Sequence, residues 1–190
     1  MKKILILNGS PRINGNTYSL IKKFTEGAES KGHKVIRFDL HFMNINGCKG
    51  CLGGGKDPES PCTQKDDMLK IYPHYKEADI LVLASPMYYW AFSAQLKTAI
   101  DRIFAVTEID PDYKTPYKEC FMLMASEGDD KDNFEPVIHY YKSLLNYFRK
   151  SGKLDDSTIK DVYFEKFNTT VYKLEEFSKC PFAYYLRYIL

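Results

Sequence analysis

Ile80, Leu81, Val82, Leu83 and Ala84 form an unbroken apolar run with no polar residue on either face. Alternate side chains of a strand point to opposite sides, so a short run of this kind suits a strand covered on both faces. Further apolar runs occupy residues 4–7 and 120–125, and residues 35–40 read as another strand. Segments of helical period lie between them. Residues 17–31 put Leu20, Ile21, Phe24 and Ala28 on one face and stop at Gly32, and residues 93–104 place Leu96, Ile100, Ile103 and Phe104 inward. Asp66 or Asp67 is suited to cap a helix running to about Tyr75, and residues 134–150 read as a fourth helix. Parallel strands of this length need crossover helices, which cover the sheet from both sides. The expected fold is therefore α/β, a doubly wound parallel five-stranded sheet with helices on both faces. Its fifth strand is expected within 159–167.

At roughly 150 residues per domain, the 190 residues predict a single domain over 1–190. An aromatic-rich tail begins at about residue 168 and is expected to pack on the sheet or on a second subunit. Apolar residues make up 44% of the chain and charged residues 27%, which excludes general disorder. Lys and Arg total 27 against 25 Asp and Glu, a net charge of +2 that is too balanced for a nucleic-acid partner. No apolar run reaches the roughly 18–20 residues that span a bilayer. The apolar run after Lys2 and Lys3 is shorter than the roughly 7–15 residues of an export signal, so no membrane partner and a cytoplasmic location are expected. Five cysteines, Cys48, Cys51, Cys62, Cys120 and Cys180, then point to reduced thiols or a metal site rather than a disulfide framework.

In an open α/β sheet, ligands bind beyond the carboxyl ends of the strands. There the chain reads Asn8-Gly9-Ser10-Pro11-Arg12-Ile13-Asn14-Gly15-Asn16-Thr17. Such a loop feeds directly into a helix and offers backbone N–H groups and a positive helix end to an anion. Ser10, Asn16 and Thr17 add donors, and Arg12 adds charge. The loop of nucleoside triphosphatases has four residues between its glycines and a lysine after the second. Here five residues separate Gly9 from Gly15, and Asn16 stands at the lysine position. A dinucleotide fingerprint requires glycine where this chain has Pro11. A single terminal phosphomonoester remains, the group that FMN carries.

Gly9-Ser10-Pro11-Arg12 with Gly15-Asn16-Thr17 resembles the signature of the flavodoxin-like NAD(P)H-dependent FMN reductases, a family that includes iron–sulfur flavoproteins. The resemblance continues through Cys48-Lys49-Gly50-Cys51, Cys62 with Asp66-Asp67-Met68, the segment Ala84-Ser85-Pro86-Met87-Tyr88-Tyr89-Trp90, Leu96-Lys97 and Asp101-Arg102. It covers residues 2–128. It implies an oxidoreductase that takes electrons from NADH or NADPH and passes them through bound FMN to a quinone, flavin or other small acceptor. The alternative is a flavodoxin-type electron carrier, which the balanced charge disfavours. The flavin carries the chemistry, so no catalytic acid or base is named.

By the same resemblance, Pro86, Met87, Tyr88, Tyr89 and Trp90 run beside the flavin ring. The turn at Glu127 and Gly128 approaches its pyrimidine side. A carboxylate there disfavours an anionic ring, so the Glu127 side chain is expected to point away. One flavin cannot occupy three aromatics, so some of Tyr88, Tyr89 and Trp90 are expected to pack internally or on a partner. The family commonly forms homodimers or higher homo-oligomers. In its iron–sulfur branch a third cysteine follows three residues after the pair, where this chain has Gly54. Cys62 makes only a third sulfur, short of the four thiolates of an ordinary cluster. Zinc would need His41 or His74 as a further ligand. No metal is expected, and the segment reads as a glycine-rich lid with reduced thiols.

Overall fold

Successive residues of the two central strands go to opposite layers. Ile4, Ile6, Ile80, Val82 and Ala84 join one core cluster, while Leu5, Leu7, Leu81 and Leu83 join another. A strand buried in this way must lie inside a sheet sandwiched by helices. The computed structural model describes residues 1–116, 118–127 and 131–149. In chain order these form β1 (Lys3–Asn8), α1 (Asn16–Ser30), β2 (Lys34–Asp39), a single 3-10 turn (Leu40–Phe42), α2 (Met68–Glu77), β3 (Ile80–Tyr88), β4 (Ala91–Phe92), α3 (Ala94–Thr107), β5 (Glu119–Ala125) and α4 (Lys131–Arg149).

The sheet has five strands. β2, β1, β3 and β5 are parallel neighbours in that order, and the two-residue β4 folds back antiparallel on the outer end of β3. The chain leaves β1 toward β2 and returns on its other side as β3, so the order reverses between β1 and β3. That switch point opens a crevice at the strand ends. Ile21, Phe24 and Ala28 of α1 cover one face. The other face is covered by α2, α3 and α4, which contribute Met68 and Ile71, Leu96 and Ile103, and Val137 and Leu145. Fully burying each such side chain stabilises the fold by about 1.5–3 kcal/mol.

The doubly wound fold matches the sequence expectation, and strand bounds agree to within a few residues. α4 starts three residues before the expected position 134. Phe104 departs from its expected inward place: it is 39% exposed and stacks on Tyr113. The inner face of α3 is filled instead by Ala99, Arg102, Ile103 and Val106, leaving position 104 on its outer flank. The strand expected within 159–167, the aromatic tail and Cys180 lie outside the described residues. Among the described residues, no helix is long and apolar enough to cross a membrane.

Lys118 is buried beneath the amino ends of the strands, where its ammonium donates to the carbonyls of Lys76 and Ala78 at the end of α2. Burial pushes its pKa down to about 8. Between pH 8 and pH 10 the unfolded chain holds a proton that the folded chain has released, so stability rises with pH across that window. The gain is on the order of 3 kcal/mol. Above it the trend reverses, because burial holds the phenols of Tyr72 and Tyr75 protonated in the folded state. Urea denaturation at successive pH values should show this maximum, and Lys118→Met should flatten its rising limb.

Candidate functional site

The loop after β1 is fixed from both sides. The Gly9 N–H donates to the Ala84 carbonyl of β3 at 2.8 Å, and the Ser93 hydroxyl at the start of α3 donates to the Gly9 carbonyl at 2.8 Å. A Cβ at Gly9 would lie 2.3 Å from Ser93 Oγ and 2.7 Å from Leu96 Cβ, so only glycine lets the loop pass this close. Ser93 also accepts from the Leu96 N–H and donates its own N–H to Ser85 Oγ. These hydroxyls tie the ends of β1 and β3 to α3.

Ser10 is buried, and its hydroxyl bonds both the N–H and the carbonyl of Arg12, so it shapes the loop from within. The Arg12 side chain is exposed and has no ion pair among the described residues. Asn16 and Thr17 open α1, whose N-cap is Gly15. No side chain caps this helix, and its first turn holds no acidic residue. The N–H groups of that turn are therefore left to an external anion.

β3 runs out to Tyr88, and the chain reverses at Tyr89 and Trp90 before β4. Both residues have left-handed backbone, with φ of 47° and 59°. Bulky side chains in that region cost about 1–3 kcal/mol each and persist where the surroundings hold them. Here Met87 and Tyr88 pair with Phe92 and Ala91, and Trp90 Nε1 donates to Asn133 Oδ1 of α4 at 3.2 Å. Of the two expectations for these aromatics, packing inside or packing on a partner, the structure corrects the first. Tyr88, Tyr89 and Trp90 are 44%, 94% and 52% exposed, and Phe92 takes the inner place because the reversal turns it back onto Tyr140. Pro86 and Met87 are half-buried at the base of the hairpin.

Beside this hairpin β5 ends at Ala125. Glu127 is exposed, and Gly128 lies outside the described residues. The preceding Ser126 was not anticipated. Its hydroxyl is buried and has no hydrogen-bond partner among the described residues.

Residues 43–65 form no helix or strand and run along α3, from Asn46 beside Arg102 to Gly55 against Glu108 at the helix's far end. They are held by a buried ion pair. Arg102 of α3 and Asp66 are almost wholly enclosed and meet at 2.7 Å. Arg102 also donates to the Asn46 and Gln64 carbonyls, and Asp66 accepts the N–H groups of Asn46 and Met68. Burial pushes the Asp66 carboxyl up, but the bonds from Arg102, Asn46 and Met68 outweigh it and hold the group below the ordinary range.

Cys48 and Cys51 are exposed, whereas Cys62 turns inward against the Tyr72 hydroxyl. The Thr63 hydroxyl and the Gly53 N–H hold the Cys51 thiol below its ordinary pKa. A Cβ at Gly54 would lie 2.1 Å from the Glu108 carboxylate and 3.0 Å from the Pro61 carbonyl, so a side chain there would have to displace the end of Glu108. Among the described residues, no three metal-binding side chains come together, His41 and His74 included.

The sequence model of the NADPH-dependent FMN reductases matches residues 2–147. The chain belongs to that family. An iron–sulfur flavoprotein of Archaeoglobus fulgidus is 33% identical over 145 residues, which are 76% of this chain and 62% of that protein. Other iron–sulfur flavoproteins are matched over 48% and 51% of their length, so this chain spans only part of such relatives. An FMN-dependent NADH:quinone oxidoreductase of Clostridium perfringens is 26% identical over 163 residues, 78% of this chain and 81% of that one. The fold resembles that of an NAD(P)H:quinone oxidoreductase from Methanothermobacter marburgensis, with a TM-score of 0.58 at 20% identity, covering 77% of this chain and 76% of that one.

The residues fit FMN. The uncapped start of α1 suits a phosphate, and the partnerless Ser126 hydroxyl lies at the strand end where a polar ring edge belongs. They offer no four-thiolate set among the described residues: Cys62 faces Tyr72, and position 54 is a glycine with no side chain to ligate.

Replacing Arg102 by Met should leave the Asp66 carboxylate buried without its partner, a loss of about 3–5 kcal/mol. Limited proteolysis should then cut first within 46–66. Adding Asp66→Asn should recover part of the stability.

Proposed function

We propose that this chain is an FMN-dependent oxidoreductase that draws electrons from NADH or NADPH and delivers them to a quinone, a flavin or another small acceptor. The observation that carries the reading is the uncapped, acid-free start of α1 at the switch point, locked in place through Gly9. Family membership supports it, as does the name of the Clostridium perfringens relative.

Ser10, Arg12, Asn16 and Thr17 form the phosphate site in this reading. The loop N–H groups bind the anion, and Arg12 adds a mobile charge from its rim. Pro86 to Trp90 border the ring on one side and Glu127 with Gly128 on the other. Bound FMN supplies the two-electron chemistry. The protein contributes position: the hairpin of β3 and β4 is held rigid by its own pairing and by α4, so the ring's wall does not have to be ordered on binding. The unused Ser126 hydroxyl offers a hydrogen bond to the polar ring edge. The exposed aromatics of the hairpin suit contact with a second copy, and we place the protein in the cytoplasm as a homodimer or higher homo-oligomer.

FMN should bind much more tightly than riboflavin. Arg12→Ala should weaken FMN binding about 10- to 150-fold, the value of one charge-assisted contact of about 1.5–3 kcal/mol, with riboflavin affinity unchanged. Equal affinity for the two flavins would overturn the phosphate-site assignment. Anaerobic addition of NADH or NADPH should bleach the flavin absorbance with no partner protein present, and a quinone should restore it. Flavin that stays oxidised would point to an electron carrier.

A further inference from the structure

The buried ion pair that anchors the 43–65 loop leaves one charged donor unused. Nη1 of Arg102 donates to Asp66 Oδ2 and to the Asn46 carbonyl, both at 2.7 Å. Nη2 donates to Asp66 Oδ1 at 3.1 Å and, at 3.5 Å, to the Gln64 carbonyl. The Arg102 Nε is enclosed and has no hydrogen-bond partner among the described residues. A buried donor left unpaired is costly, and more so on a charged group. Two further groups stand against this guanidinium. The Tyr72 hydroxyl donates to the carbonyl of Arg102 at 3.1 Å, and the Cys62 thiol lies within hydrogen-bonding reach of that hydroxyl. Burial lowers the Arg102 pKa, but the Asp66 bonds and the nearby Tyr72 and Cys62 outweigh it and keep the guanidinium charged. Cys62 is half-buried, Cys48 and Cys51 are exposed, and Cys120 is buried in β5. Among the described cysteines, Cys62 alone combines a path to solvent with a buried cation.

We propose that Cys62 is a site of reversible oxidation by hydrogen peroxide, and that Arg102 holds the sulfenate it forms. The nearby cation favours the thiolate that attack requires. The thiol gives its proton to solvent, and the thiolate sulfur attacks one peroxide oxygen. An S–O bond forms as the O–O bond breaks. Sulfur gives up two electrons, and the departing hydroxide takes a proton and becomes water. The sulfenic acid then releases its own proton, and its oxygen accepts from Nε, the donor that the reduced protein leaves unused. A sulfenic acid is commonly lost by condensing with a second thiol. Cys51 is engaged on the exposed side of the loop by the Thr63 hydroxyl at 3.4 Å, whereas Cys62 faces inward toward Tyr72, so the product persists. Arg102 draws Asn46, Gln64 and Asp66 together, and one more bond to it tightens the loop. The inference is independent of what binds at the strand ends.

The test treats the reduced full chain with equimolar hydrogen peroxide, removes the excess with catalase, and then unfolds the protein in dimedone for peptide mass spectrometry. The dimedone adduct should fall on the peptide that contains Cys62. The urea midpoint of the oxidised protein should rise, because Nε gains an acceptor, and dithiothreitol should return it to its starting value. In Cys62→Ser the midpoint should no longer respond to peroxide, although Cys48 and Cys51 remain. Arg102→Lys keeps a charge for Asp66 but has no Nε. Its adduct yield after a fixed delay should fall about tenfold, and oxidation should not raise its midpoint. An adduct confined to Cys48 or Cys51 would overturn the inference. A midpoint that falls on oxidation would show that Cys62 is only a packed side chain, and an equal rise in Cys62→Ser would place the effect elsewhere. Should Arg102→Lys fail to fold, the comparison of the wild type with Cys62→Ser decides the matter by itself.

Discussion

The backbone of Gly9 bonds β3 and the start of α3 at the end of β1. Its N–H continues the β1–β3 ladder by one bond beyond the last strand residue, and its carbonyl receives the hydroxyl that caps α3. β1 cannot shift in register without breaking both bonds. A one-residue slip would also exchange the two faces of Ile4 to Leu7 and drive each set toward the wrong helix layer. The phosphate loop inherits its position from this junction, because Ser10 follows directly and bonds back to Asn8. Anion binding by backbone N–H groups depends on their pointing at one place before the ligand arrives, and a loop pinned at its root meets that condition.

The strand ends differ in how they are held, and the difference follows their roles. On the β1 side the root of the loop is held by buried bonds. On the β3 side the chain runs past the sheet into a hairpin whose two tip residues keep left-handed backbone with large side chains. Such a turn would ordinarily use glycine or asparagine. Tyr89 and Trp90 keep it because two strand pairs and the Trp90–Asn133 bond fix the geometry around them. The result is an aromatic wall whose shape does not depend on what binds it.

Most of the architecture was legible because it rests on periodicity. Unbroken apolar runs in β1 and β3, helical spacing in α1 and α3, and the glycine stop at Gly32 are local signals, and each led to the right element. The candidate loop at residues 8–17 was legible as the junction of two such elements, β1 and α1. What escaped rests on long-range meetings. The charge of Arg102 conceals that it is the largest of the fully buried side chains, because its partner Asp66 is 36 residues away. Ser126 looked like an ordinary turn residue, since an unsatisfied hydroxyl is defined by what surrounds it and not by what flanks it. Phe104 misled for the opposite reason: apolar residues outnumbered the inward positions of α3, and spacing alone did not show which would be left out.

The cysteine loop shows how a local motif and its setting part company. The pair Cys48-x-x-Cys51 is shared with the iron–sulfur relatives, yet a motif determines a site only when the remaining ligands converge on it. Closing a loop of this length costs conformational entropy, which some cross-link must offset. A metal cluster is one such cross-link. In this chain the Arg102–Asp66 pair, with its bonds to Asn46 and Gln64, draws both ends of the loop onto α3 and does so without any thiolate. With closure achieved from beneath, Cys62 packs inward and Glu108 occupies the space beside Gly54. The two exposed thiols are then left as side chains of an already folded loop, not as the ligands that fold it.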